Sequence, residues 1–188
     1  MKKILVAVLA MGVLSFANNA SALSFNGHNY EYIEFAGKSW DEAASDLLAR
    51  FGSGYYLATI TTQQEHNFIA NTLLDKVTGE YWLGGLQPLS ETDATANWNW
   101  ANGEEWNYTN WHVGEPNDHY GAGSEQYLAM WKKNGWYGEW NDEGNLGNIN
   151  GYIAESAAPV PEPATMLLFG SGLGFLGLAG LRRKNKKK

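Results

Sequence analysis

The chain has 188 residues, 13 of them Lys or Arg and 20 Asp or Glu, for a formal charge of −7. It has no cysteine, which excludes a disulfide scaffold and leaves packing or a metal to hold its loops. With 44% hydrophobic residues and nine tryptophans, it has enough apolar surface to bury a core, which argues against disorder.

Met1-Lys2-Lys3 is a basic start, residues 4–14 are apolar, and Ala20-Ser21-Ala22 fits a small-residue cleavage site. This pattern predicts a secretory signal peptide over residues 1–22. A retained membrane helix is the poorer reading, because the apolar stretch is short for a span and ends at Asn18-Asn19.

From residue 23 the elements follow in order. Residues 30–35 alternate as a half-buried strand does. Ser39-Trp40-Asp41-Glu42 is a capping box, and Ala43, Ala44, Leu47, Leu48 and Phe51 continue it at helical spacing. Gly52-Ser53-Gly54 ends that helix and residues 55–60 form a short strand. Thr62-Gln63-Gln64-Glu65 is a second capping box, leading a helix with Phe68, Ile69, Leu73 and Leu74 on one side. Residues 81–86 read as a central strand. Residues 87–124 then lack periodicity and are too long for a plain connection. Their tryptophans, Trp98, Trp100, Trp106 and Trp111, point to a folded loop with its own small core. Three strand-like pieces, 126–130, 135–139 and 151–155, complete one α+β domain over residues 23–158.

Pro159-Val160-Pro161-Glu162-Pro163 cannot continue a helix or a sheet interior. Residues 164–181 are uncharged and apolar or glycine-rich, and at ~1.5 Å per residue they reach about 27 Å, just enough to cross a hydrocarbon core. A cluster of Arg and Lys closes the chain and predicts a cytoplasmic end. The Val160-Pro161-Glu162-Pro163 motif, the span and the basic end, in that order, resemble the PEP-CTERM sorting signal. The resemblance implies an exopolysaccharide-producing Gram-negative bacterium, recognition of the tail by an exosortase, and delivery to the cell surface. A permanent membrane anchor is the alternative. With both ends set aside, the domain keeps five basic and 19 acidic residues, a formal charge of −14. Such a domain repels nucleic acid and anionic membranes and suits cations and neutral ligands.

The chemistry is concentrated late. Glu115-Pro116-Asn117 sets an acid and an amide on either side of a proline, and a cis bond before Pro116 would turn both oxygens to one point. Glu125 follows a glycine-rich run, and Trp140-Asn141-Asp142 lies between two of the strand-like pieces. Glu115, Asn117, Glu125, Asn141 and Asp142 together offer hard oxygen ligands in the number that suits Ca²⁺.

These pieces resemble the C-type lectin-like domain over roughly residues 25–155. Ser39-Trp40-Asp41-Glu42-Ala43 and Leu57-Ala58-Thr59-Ile60 with Glu65-His66-Asn67-Phe68 look like its helix motifs. Trp82-Leu83-Gly84-Gly85-Leu86 resembles its WIGL signature, Glu115-Pro116-Asn117 and Trp140-Asn141-Asp142 its EPN and WND motifs, and Ile153-Ala154-Glu155 its closing strand. The resemblance implies two helices, antiparallel strands and a long calcium-binding loop. It also implies that Glu115, Asn117, Glu125, Asn141 and Asp142 hold both the ion and two adjacent sugar hydroxyls, with a Glu-Pro-Asn order suited to mannose, glucose or N-acetylglucosamine. The sequence departs from the family at its four usual disulfide positions, near Leu47, Tyr127, Asn145 and Ala154, where calcium is expected to contribute more to loop order. The 117–125 spacing is about two residues longer than usual in the family. Asp118 is a candidate ligand for a second ion, although Gln126 stands where that site often has an acid.

Other readings of the same residues stay in view. His119 and Tyr120 either pack against a sugar face or are loop surface. His112 and His119 lack further partners at zinc-ligand spacing. Glu104 and Glu105 with Glu115 could suggest a glycosidase pair, but nothing sets them around a bond, so no enzyme is expected. Trp82 and Trp140 are expected in the core. The function expected is calcium-dependent carbohydrate binding at the cell surface, the glycan or exopolysaccharide being the partner. The alternative is a calcium-stabilised structural or adhesive matrix protein that binds another protein.

Overall fold

The computed structural model describes residues 22–133, 135–144 and 149–157. The predicted signal peptide, the sorting tail with its span at 164–181 and Val160, Pro161, Glu162 and Pro163, and Asn145 lie outside the described residues. No helix among the described residues is long and apolar enough to cross a membrane.

The elements run β1 (Leu23–Phe25), β2 (His28–Glu34), α1 (Trp40–Phe51), β3 (Tyr55–Leu57), α2 (Gln63–Phe68), β4 (Gly79–Leu86), β5 (Asn99–Trp100), β6 (Tyr127–Lys133), β7 (Trp136–Glu143) and β8 (Gly151–Ala157). The main sheet runs β1-β2-β8-β4-β6-β7, with β3 on β8 and β5 on β4. All pairings are antiparallel except that of β4 with β8. The expected α+β architecture with two helices is therefore present, and the sheet is mixed at one junction. On its other edge β8 pairs antiparallel along all of β2, from His28 opposite Ala157 to Glu34 opposite Gly151.

Both predicted capping signals act at helix starts. At α1 the Ser39 side chain accepts from Glu42 N and the Glu42 side chain accepts from Ser39 N, closing the box. At α2 only half of the box forms. Thr62 accepts from Glu65 N, but the Glu65 carboxylate reaches Thr61 N at 2.8 Å and the Tyr30 hydroxyl at 2.5 Å. The helix is short because it passes at Phe68 into a π-helical turn over Ile69–Leu73, whose Ile69, Ala70 and Leu73 are buried.

The sheet separates two apolar clusters. On the α1 side lie Ala43, Leu47, Leu57, Trp82, Tyr127, Tyr152 and Ala154. Leu47 and Ala154, two of the four positions where the family resemblance puts cysteine, sit in this one apolar cluster. Tyr127, a third, stacks on Trp40 at 5.2 Å and meets Trp82 edge-on at 6.3 Å. Aromatic and aliphatic packing thus occupies the space of the absent disulfides.

On the other side the long loop carries its own core, as its tryptophans suggested. Trp100 and Trp106 lie 4.6 Å apart and Trp98 and Trp111 4.9 Å apart. Trp100, Trp106 and Trp111 close around Trp140 of β7, which is wholly buried, as is Trp82 to within 1%. Trp111 also bridges to Trp140 through the backbone, so the loop is fastened to β7 just before its last residues. The strand runs on to Glu143, so Asn141 and Asp142 stand on β7 itself and not between strands as expected.

Candidate functional site

The loop that carries Glu115 is shaped by the peptide bond before Pro116, which is cis. Glu115 and Asn117 then face one cavity of about 220 Å³, lined also by Glu125 and Asn141. Four of the five residues expected to act together therefore share a wall. The fifth, Asp142, is fully buried behind it. Its carboxylate accepts from Asn117 N at 3.0 Å and from Asp118 N at 2.8 Å. Asp142 thus fastens the Glu-Pro-Asn turn to β7.

The longer segment between Asn117 and Glu125 is closed by its own hydrogen bonds. Asp118, at a positive φ of 49°, accepts from Gly123 N at 2.8 Å and from Glu125 N at 3.0 Å. That carboxylate is an internal tie of the loop. Glu125 in turn accepts from His119 N at 2.5 Å and keeps its place on the cavity wall despite the longer spacing. His119 and Tyr120 line the cavity on its outer side, edge-to-face at 4.9 Å, and Tyr120 is 70% exposed. His112 is drawn away to Glu139 at 3.0 Å, and Glu104 bonds Thr59 and Asn102. Neither takes part in the site.

Three residues of the site were not singled out from sequence: Glu143 and Trp131 line the cavity, and Glu80 lies beneath it. Asn141 Nδ2 donates to Glu143 Oε1 at 3.0 Å and to Glu80 Oε1 at 3.5 Å. Alternation along a strand was the available signal: if Asn141 faces the cavity on β7, so does Glu143.

The electrostatics are those of crowded acids with one ammonium among them, Lys133, which pairs with Glu80 at 3.2 Å. Burial pushes Glu115 up to about 7, helped by its hydrogen bond with Asp142 and by the charges of Asp142, Glu125 and Glu80. Glu143 is pushed up to about 8 by burial and then by the charge of Glu80 and their mutual hydrogen bond. Glu125 is raised chiefly by burial. Among the described residues no three acidic or imidazole groups stand as a preformed metal cage. The carboxylates are held by backbone N–H groups and by one another. Yet the donor set fits a hard divalent cation: Glu115, Asn117, Glu125 and Asn141 present oxygen ligands to one cavity, with Asp142 at its back. Glu115 Oε2 is buried with no hydrogen-bond partner. A cation there would satisfy that oxygen and offset the mutual repulsion.

Comparison with known proteins agrees with the geometry. The profile of the lectin C-type domain matches residues 37–145, and that of the PEP-CTERM protein-sorting motif matches residues 159–184. The chain is 32% identical over 125 residues to human C-type lectin domain family 6 member A, covering 65% of this chain and 53% of that one. It is 29% identical over 128 residues to ladderlectin of Oncorhynchus mykiss, covering 67% and 58%. Human versican core protein is 27% identical over 119 residues, 63% of this chain but only 3% of that one. The chain therefore spans a small part to little more than half of these relatives. Among solved structures, the carbohydrate-recognition domain of cow CD23, determined in the presence of a GlcNAc2Man3 oligosaccharide, superposes with a TM-score of 0.60 at 22% identity, covering 76% of this chain and 96% of that one. A calcium-independent type II antifreeze protein superposes at 0.57 and 24% identity, covering 74% and 94%, so this fold occurs with and without the ion. Family profile, fold and the order of motifs agree, and the chain belongs to the C-type lectin family, a family of binding proteins, with a PEP-CTERM sorting motif behind its lectin domain.

Proposed function

We propose that this protein is an exported, calcium-dependent carbohydrate-binding protein sorted to the surface of an exopolysaccharide-producing Gram-negative bacterium. The observation that carries the reading is the convergence of Glu115, Asn117, Glu125 and Asn141 on one cavity with a buried, unpartnered carboxylate oxygen. Glu115, Asn117, Glu125, Asn141 and Asp142 are the residues that would hold Ca²⁺, and the ion would supply open coordination positions for two adjacent sugar hydroxyls. The chain's own contribution is the hydrogen bonding: carboxylates accept from those hydroxyls, and the two amides, of Asn117 and Asn141, donate to them. The Glu-Pro-Asn order supports a mannose-, glucose- or N-acetylglucosamine-type ligand. The sorting motif supports handling of the tail by an exosortase, with a transient membrane anchor and then a surface or matrix location.

Calcium titration followed by thermal unfolding tests the site. The reading requires a saturable rise in melting temperature that Glu115→Ala and Asn141→Ala each abolish. An unchanged melting temperature in a folded protein overturns it. A calcium-stabilised protein that fails to bind immobilised mannose, glucose or N-acetylglucosamine would be the matrix protein of the alternative reading.

A further inference from the structure

We propose that His66 and Asn110 are positioning residues for the loop that carries Glu115. Asn110 pins the last part of the long loop to β7, and His66, reaching over from α2, holds the Asn110 amide in the orientation that does so. The inference rests on the proposed calcium site and gives a role to two residues outside it. The connection runs through few bonds. Asn110 O accepts from Trp140 N at 2.8 Å, Trp140 O accepts from His112 N at 2.9 Å, and His112 O accepts from Glu115 N at 2.9 Å. Residues 110–112 thus run parallel to β7, with Trp111 bridged to Trp140. Glu115 follows three residues on, at the cavity it shares with Asn141 of the same strand. A shift of Asn110 along β7 would carry Glu115 with it.

The Asn110 side chain fixes that register. Its Nδ2 lies 3.3 Å from Gly138 O and 3.4 Å from His66 Nε2, one N–H for each. Gly138 O is a backbone carbonyl and only accepts, so the amide nitrogen and not its oxygen faces it. His66 Nε2 then has to accept as well, which puts the ring proton on Nδ1. Burial lowers His66 to about 4, so the ring stays neutral and Nε2 keeps its lone pair at neutral pH. Two further observations single out this ring. Gly138, at a φ of 95°, is where it meets β7: a Cβ there would lie 3.0 Å from His66 Nε2 and 2.6 Å from the Ala70 Cβ. His66 is 4% exposed, and its Nδ1 is buried with no hydrogen-bond partner among the described residues. A side chain serving packing alone would leave no polar atom unpaired there. What the imidazole adds over a leucine is the Nε2 acceptor.

The test uses the full chain, ¹⁵N-labelled and purified in detergent, first without calcium. The native His66 ring, assigned by the loss of its signals in His66→Gln, should be the Nδ1–H tautomer, the less common neutral form of histidine in water. A dominant Nε2–H tautomer overturns the proposal. His66→Leu removes the acceptor and should speed exchange of the Trp140 and Glu115 backbone amides about 10-fold or more, whereas His66→Gln, whose side-chain oxygen can stand in for Nε2, should stay within about threefold of the native chain. Native-like exchange in a folded His66→Leu protein, or His66→Gln exchanging as fast as His66→Leu, also overturns it. In calcium titrations His66→Leu should bind about 10-fold more weakly or worse, with His66→Gln close to native. A folded His66→Leu protein that binds calcium as the native chain does counts against the proposal in the same way. The tautomer is read on the native chain, so it decides even where a leucine at this position prevents folding. A native chain with the Nδ1–H tautomer and protected amides that binds no calcium would refute the functional reading and leave the positioning intact.

Discussion

In the absence of calcium the lectin domain should lose stability as the pH rises from 6.5 to 8.5. Burial and the Glu80 charge push Glu143 up to about 8, and Glu115 is pushed up to about 7. A carboxyl whose folded pKa lies above its unfolded value stabilises the fold fully below the unfolded value, and that stability is lost as the pH passes the folded value. For Glu143 the loss across this window is about 2 kcal/mol. Glu115 is partly open to solvent, and after screening adds well under ~1 kcal/mol. Glu125 is raised in the same sense. His66 opposes them: burial lowers it to about 4, so its contribution is lost as the pH falls below its unfolded value near 6.5. Within this window it amounts to only a few tenths of a kcal/mol in the other direction.

The net change is on the order of 2 kcal/mol, which for a domain of this size lowers the melting temperature by about 8 °C. Calorimetry in chelator at the two pH values measures it. Calcium added at pH 8.5 should recover most of the loss, because the cation replaces the protons as the neutralising charge. Glu143→Gln should remove most of the drop in chelator. A melting temperature that is level, or that rises, between pH 6.5 and 8.5 without calcium would refute the reasoning.

Two further predictions test the frame that carries the site. Trp140→Ala should cost about 3–5 kcal/mol and open residues 87–124 to limited proteolysis, because Trp140 is the buried centre on which Trp100, Trp106, Tyr108 and Trp111 close. Gly151→Ala should destabilise by about 3 kcal/mol or more in chemical denaturation, since an added Cβ would lie 1.9 Å from the Ile33 carbonyl oxygen at the start of β8.

The frame was legible where a local rule had one strong outcome. The Ser39 box and the apolar spacing after it define α1 within a residue. Alternation gave β2, and the tryptophan-rich loop is folded on its own aromatic core. Long-range contacts changed what local rules suggested. Glu65 should complete a second capping box, yet its carboxylate is taken by Tyr30 and Thr61, because a buried acid is satisfied by whichever donors the fold brings to it. The π-helical turn after Phe68 likewise follows from burying Ile69, Ala70 and Leu73 together.

The site shows the same division more sharply. Glu115, Asn117, Glu125, Asn141 and Asp142 could be chosen from residue type and motif, because Glu-Pro-Asn is followed by Trp-Asn-Asp in the order and spacing of the family. Glu80 could not, since nothing near it in sequence is a ligand and only the β4-β6-β7 order sets it under Asn141. This arrangement bears on how the loop is ordered in a chain without cysteine. Asp142 ties the Glu-Pro-Asn turn to β7, Asp118 closes the segment that follows, and Trp140 anchors the tryptophans behind both. Two of the five proposed ligand residues stand on a strand and three on the loop. An ion bound among them would therefore link loop to sheet, where covalent ties are absent. On the proposed function, sugar affinity and loop order should fall together when calcium is withdrawn, while β2 and β8, joined along their whole length on the far side of the sheet, stay paired.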